Sequence, residues 1–192
     1  MVITQQGMAA TSHTLASQAG AQILARGGSA VDAAIAANAV LGVVEPMMNG
    51  IGGDLFVIYW DAKTGKLTGL NASGPAPRGL SAEFLTKQGF PSIPEGIHSV
   101  TIPGAVDGWA KMHERFGKLP WKDLFQAAIA YAEEGFPLTE DAQRYWAGST
   151  AVLRAHPETA RVYLPEGRAP RVGEVLKNPE MGRALRLEDS TG

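Results

Sequence analysis

The 192-residue chain predicts an α+β fold, mostly helical with one β-hairpin. Three features carry that expectation. The stretch from Arg26 to Phe56, RGGSAVDAAIAANAVLGVVEPMMNGIGGDLF, sets one long Ala-packed helix between two Gly-rich turns. The run DLFVIYW, followed by DAKTG and KLTGLNA, has the composition of a strand, a turn and a returning strand. Beyond Gly104, apolar residues recur at helical spacing through several further segments.

Ser12 to Ala25 reads as the first helix, with Ser12 as its cap and Leu15, Ala19, Ile23 and Leu24 on one face. Gly27 and Gly28 end it, because glycine takes the left-handed conformation of a helix terminus without a Cβ clash. Ser29 then caps a second helix, with Asp32 three residues on in a capping-box arrangement. This helix runs to about Val44, ahead of Glu45-Pro46. Its Ala33, Ala34, Ala36, Ala37 and Ala39 predict a neighbour packed very close, and its apolar character on nearly every side predicts burial. Asp54 to Trp60 is the first strand, Asp61 to Gly65 the turn, and Lys66 to Ala72 the antiparallel return. Ser73 to Gly79, SGPAPRG, is a loop; a short helix over Ser81 to Gln88 follows, and Pro91 to Pro103 is irregular. Helices are expected over Gly104 to Phe116, Trp121 to Glu134 and Thr139 to Ala155. The middle one carries a buried stripe of Leu124, Ala127, Ala128, Tyr131 and Ala132, and Gly135-Phe136-Pro137 breaks the chain after it. Asn178 to Leu187 forms a last short helix, and LEDSTG closes the sequence without a structural stop. Two strands are too few for a stable sheet, so the hairpin is expected to pair with strands outside this chain.

With 45% hydrophobic residues the chain has material for a core, and residues 1–192 are read as one domain-sized region without repeats or linker. A net charge of −2, with the charges scattered, gives no electrostatic case for nucleic acid or an anionic membrane surface. No apolar run is long enough to span a bilayer. The start, MVITQQGMAATSH, lacks the basic and apolar regions of a signal peptide, which predicts a cytoplasmic location. The absence of cysteine excludes disulfides and thiolate chemistry.

Candidate chemistry is sparse. In Thr11-Ser12-His13 a hydroxyl stands beside an imidazole, but sequence neighbours at a helix start rarely face each other, and Ser12 is more simply a cap. His13, His98, His113 and His156 are far apart and lack metal-ligand spacing, so no metal or cofactor is expected. Gly50-Ile51-Gly52-Gly53 resembles half a phosphate loop. A helix precedes it and a strand follows, the reverse of what phosphate binding needs. Gly52 and Gly53 therefore serve either a tight turn or a pocket wall of backbone N–H groups. The carboxylate pairs Glu133-Glu134 and Glu140-Asp141 suit helix ends. In the loop after the second strand, Asn71 and Ser73 offer hydrogen bonds and Arg78 a carboxylate clamp; ordinary turn chemistry explains the same residues equally well.

The segment GMAATSHTLASQAGAQILARGGSAVDAAIAANAVLGVVEPMMNGIGGDLFVIYWDAKTGKL resembles the N-terminal, large-subunit region of γ-glutamyltranspeptidases, also called γ-glutamyltransferases or glutathione hydrolases. HSVTIPGAVDGWAKMHERFGKLPWKDLFQAAIAYAEEGFPLTEDAQ continues the likeness, which covers about Gly7 to Gln143 and more weakly the chain to Leu187. The resemblance implies the N-terminal part of a four-layer αββα Ntn-hydrolase fold. It implies a precursor that cuts itself, and a small subunit whose new N-terminal Thr is nucleophile and, through its amine, base. That Thr attacks a γ-glutamyl amide such as glutathione, and water or an acceptor amino acid takes the acyl group. The Thr belongs to a C-terminal region outside this chain, so no catalytic residue is assigned here and this chain alone is not expected to turn over substrate.

The family's substrate-carboxylate arginine follows the second hairpin strand in a motif like Arg-Glu-x-Ala-Pro. The matching residues here are Asn71-Ala72-Ser73-Gly74-Pro75, so Asn71 stands in the arginine's place and cannot form its bidentate clamp. The sequence is thereby more similar to the γ-glutamyltransferase-like branch that includes cephalosporin-acylase-type enzymes. The resemblance implies a small-molecule γ-glutamyl or related acyl amide substrate, with Asn71, Ser73 and the Gly52-Gly53 turn lining its pocket and Arg78 as a substitute cation. The implied partner is the missing small-subunit region. The competing expectation is a non-catalytic binding module or an inactive truncated product.

Overall fold

The computed structural model describes residues 3–5, 7–94 and 96–190. In chain order its elements are α1 (Thr14–Ala25), α2 (Ala30–Val44), β1 (Phe56–Asp61), β2 (Lys66–Asn71), α3 (Ala82–Lys87), α4 (Ala105–Phe116), α5 (Gln126–Glu134), β3 (Phe136–Pro137), α6 (Glu140–Gly148), α7 (Thr150–Arg154), α8 (Pro157–Tyr163), β4 (Val175–Leu176) and α9 (Pro179–Ser190). The predicted α+β character and the hairpin are both present. The chain forms two compact units, Met1–Asn49 with Phe116–Gly192, and Gly50–Arg115.

In the first unit, α1 is capped by His13 and not by Ser12. His13 is the extended residue just before the first helical turn, and its Nδ1 accepts the Leu15 N–H at 3.2 Å. Ser12 instead donates its hydroxyl to the Glu45 carboxylate, 2.6 Å away. At the other end Gly27 has φ +88°; its N–H donates to the Leu24 carbonyl and that of Gly28 to the Ile23 carbonyl, both at 3.0 Å, the paired bonds of a Schellman turn.

The predicted capping box of α2 is complete. The Ser29 hydroxyl accepts the Asp32 N–H at 3.1 Å, and the Asp32 carboxylate accepts the Ser29 N–H at 2.8 Å. Asp32 is fully buried and also accepts the backbone N–H of Lys118 (3.0 Å) and Leu119 (3.2 Å). One local cap thus fastens the chain where it returns to this unit.

α2 packs against α1 and α5. Ala33, Ala36, Ala37 and Ala39 are buried, whereas Ala34 faces outward. The expected close approach is there: a methyl group on Gly20 would lie 2.8 Å from the Ala9 Cβ and 3.2 Å from the Ala33 carbonyl oxygen.

Two long predicted helices are broken. Trp121–Leu124 is a 3₁₀ turn, and α5 starts at Gln126. Three residues per turn rotate the buried stripe, so Phe125 and Ile129 are buried with Leu124, Ala128 and Ala132, while Ala127 and Tyr131 are half-buried. Ser149 divides α6 from α7, and α8, unforeseen, starts with Pro157 at its first position. α9 packs on α5, where Arg186 grips Glu133 with two 2.7 Å hydrogen bonds.

His13 gives this unit a pH dependence. The ring is buried with Nδ1 accepting an N–H, and Nε2 has no hydrogen-bond partner. Burial pushes its pKa below the usual 6.5, against a smaller upward pull from Glu45. Between that lowered value and 6.5 the unfolded chain binds a proton that the folded chain does not. Stability is therefore fully present above 6.5 and falls as the pH drops through this window. Urea midpoints from about pH 7 to pH 5 should fall more steeply for the wild type than for His13→Asn, which keeps a capping acceptor without the titration. Parallel slopes would remove His13 as the cause.

In the second unit, β1 and β2 form a two-stranded antiparallel sheet with Phe56 opposite Asn71, Ile58 opposite Gly69 and Trp60 opposite Leu67. Leu55 and Ala72 extend the ladder, exchanging N–H···O bonds of 3.3 and 2.8 Å. Residues directly opposite share a face. On this face Phe56 is 68% exposed, Ile58 82%, Trp60 58% and Leu67 67%. So large an exposed apolar surface is unusual for a hairpin face. Among the described residues no helix is long and apolar enough to cross a membrane.

Candidate functional site

The second unit draws three segments together at the end of the hairpin: the turn before β1, the loop after β2, and residues 101–105 at the start of α4. Asn71 is the last residue of β2, on the uncovered face through its pairing with Phe56. Its Oδ1 accepts the Ser73 N–H at 2.9 Å, an Asx turn that bends the chain out of the strand. Asp54, just ahead of β1, accepts the Thr101 hydroxyl at 2.8 Å and the Gly74 N–H at 3.4 Å on the same oxygen. The Gly53 carbonyl accepts the N–H groups of Gly104 and Ala105, both at 3.0 Å, which uses donors that the start of α4 would otherwise leave open. Ile102 donates its N–H to the Pro75 carbonyl at 3.1 Å.

Absent side chains make this lacing possible. A methyl group on Gly74 would sit inside the Ile102 carbonyl, and one on Gly104 inside the Ala72 carbonyl. One on Gly108 would lie 2.7 Å from both the Ala72 Cβ and a Leu55 methyl. The charged member of the network is Asp54. Hydrogen bonding from Thr101 first, and then from Ser73, holds its carboxyl below the ordinary carboxylate range.

The predicted site residues separate accordingly. Asn71 and Ser73 meet directly, and Gly53 joins them through the α4 segment, with its carbonyl and not its N–H in use. Gly52 lies in an exposed turn where a methyl group would meet nothing within 4 Å. Arg78 occupies a further turn, exposed, with no side-chain hydrogen bond or ion pair among the described residues. Asp54 and Thr101 are the members that sequence reasoning missed. An acidic residue directly after a double glycine was the available signal for Asp54; Thr101 gave none.

The Thr11-Ser12-His13 cluster assembles no nucleophile. Thr11 donates its hydroxyl to the His13 carbonyl at 2.7 Å and shares a 2.8 Å hydrogen bond with Ser17, while the His13 ring is engaged at Leu15. Among the described residues no group of three or more His, Cys, Asp or Glu could hold a metal ion.

Solved structures share this architecture. The γ-glutamyltranspeptidase of Helicobacter pylori superposes with a TM-score of 0.93 at 27% identity, over 100% of this chain and 56% of that one. The cephalosporin acylase of Bacillus halodurans gives a TM-score of 0.89 at 38% identity, over 99% of this chain and 38% of that one. The fold is thus the N-terminal part of an Ntn-hydrolase fold. The family model for gamma-glutamyltranspeptidase matches residues 16–191, and the chain belongs to the γ-glutamyltranspeptidase family. The glutathione hydrolase-like YwrD proenzyme of Bacillus subtilis (strain 168) is 37% identical over 188 residues, 97% of this chain and 35% of that protein. The chain spans about a third of the length of the curated relatives it matches, from 28% to 37%.

Proposed function

We propose that this chain is the large-subunit part of an amidase for γ-glutamyl or related acyl amides, with the loop from Asn71 to Ser73 forming one wall of the acyl pocket. The nucleophile is the N-terminal Thr of a small-subunit polypeptide, which also covers the apolar hairpin face. The observation that carries this reading is the placement of Asn71 on that uncovered face, with its loop braced by Asp54. An asparagine offers one acceptor and an NH₂ group, where a guanidinium would clamp a carboxylate with two parallel bonds. The wall therefore favours acyl groups that do not depend on a distal carboxylate. Arg78 is the cation next along the loop and takes the carboxylate-binding role if any residue of this segment does.

The test is kinetic, on the complex of this chain with its small-subunit polypeptide. Asn71→Arg is expected to raise kcat/KM for a γ-glutamyl anilide about 10- to 100-fold, the worth of a charged hydrogen-bonded clamp, while an anilide of an acyl group without a distal carboxylate gains nothing. An unchanged ratio between the two substrates would place Asn71 away from the acyl group. In the same assay Arg78→Ala lowers γ-glutamyl hydrolysis if Arg78 is the substitute cation, and an unaltered kcat/KM removes that role.

A further inference from the structure

The Asp54 carboxylate joins segments distant in sequence. One of its oxygens holds Thr101, 47 residues away, at 2.8 Å and Gly74, 20 residues away, at 3.4 Å. Ser73, whose hydroxyl also bears on the carboxyl, is tied through its own N–H to the Asn71 side chain at 2.9 Å. Asp54 is exposed, so its contribution to overall stability is small. Its geometric consequence is larger, because the loop it holds bears both polar side chains of the proposed wall. We propose that Asp54 is the positioning residue of this wall: by fixing Ser73–Gly74 against Thr101 it sets where Asn71 and Ser73 stand, and through them the acyl specificity. This rests on the reading of the loop as an acyl-pocket wall.

The groups that bear on the Asp54 carboxyl are the Thr101 and Ser73 hydroxyls and the Gly74 N–H, all neutral. Its titration can therefore be read at its neighbours. In amide NMR spectra of the chain, the signals of Ser73, Gly74 and Thr101 should move together at a pH below the ordinary carboxylate range, and Asp54→Asn should abolish that movement. In the complex with the small-subunit polypeptide, Asp54→Ala should raise KM for an acyl anilide about tenfold with little change in kcat, as expected when a binding group is displaced without loss of the reacting atoms. Asp54→Asn, which keeps one acceptor, should recover most of that loss. Thr101→Val, which removes a donor and leaves Asp54 in place, should reproduce part of it. If neither Asp54→Ala nor Thr101→Val changes KM, and the three amide signals ignore Asp54, the proposal is wrong. If the amide signals follow Asp54 while the wild-type complex hydrolyses no acyl anilide, the amidase reading fails and the bracing by Asp54 stands without an acyl role.

Discussion

Gly74→Ala is expected to destabilise the Gly50–Arg115 unit by about 3 kcal/mol, at the upper end of what overpacking costs. The added methyl group meets the backbone carbonyl of Ile102, which cannot rotate away as a flexible side chain would. Relief requires the loop after β2 to part from the segment before α4. That movement breaks the Ile102–Pro75 backbone bond and lengthens the contact of Gly74 with Asp54. Gly79→Ala is the control: the added methyl group meets nothing within 4 Å, so the change should stay within about 0.5 kcal/mol. Urea unfolding of the two variants, followed by tryptophan fluorescence, separates the cases. Equal midpoints would mean that the loop yields without cost.

Asp32→Ala is the second large effect, with an expected loss of about 4 kcal/mol of stability in the other unit. A donor left unsatisfied on burial costs about 1–3 kcal/mol, and this carboxylate accepts the part-buried N–H groups of Ser29, Lys118 and Leu119. Its complete burial limits how far water can take over. Asp32→Asn retains one acceptor oxygen and should lose about half as much. Denaturant melts of wild type, Asp32→Asn and Asp32→Ala should rank in that order. An alanine variant as stable as the wild type would mean that the 118–119 backbone finds other acceptors.

Short-range chemistry made much of the fold legible. Ser29 and Asp32 form their box because the partners are three residues apart, and the hairpin turn and the Gly27 terminus are equally local. The same holds for the Asx turn at Asn71, whose partner is two residues on. The resemblance to the family drew attention to this loop, and the structure places Asn71 at the end of β2 with Ser73 two residues on.

What stayed hidden depends on partners far along the chain. Nothing near Asp32 announces that its carboxylate also holds residues 86 and 87 positions away. Nothing near Asp54 announces Thr101. The breaks at Phe125 and Ser149 lie in segments of good helical composition, where packing overrode periodicity. The cap of α1 was misplaced by one residue because Ser12, the stronger capping type, is drawn to Glu45, which leaves the imidazole of His13 to accept the first N–H. The role of the Gly53 carbonyl, which accepts the N–H groups of Gly104 and Ala105, likewise rests on residues more than 50 positions away.

Under the proposed function, the uncovered hairpin face and its braced loop are half of a two-chain acyl-amide hydrolase. Titration of the small-subunit polypeptide, with its N-terminal Thr exposed, into this chain tests that claim most directly, with release of an acyl anilide as the signal. Hydrolysis should rise to a plateau at one partner per chain, and should be lost when Ile58, the most exposed apolar residue on that face of the hairpin, is replaced by Asp. A saturated complex that releases no product, or one that works equally well with Ile58→Asp, would contradict the claim.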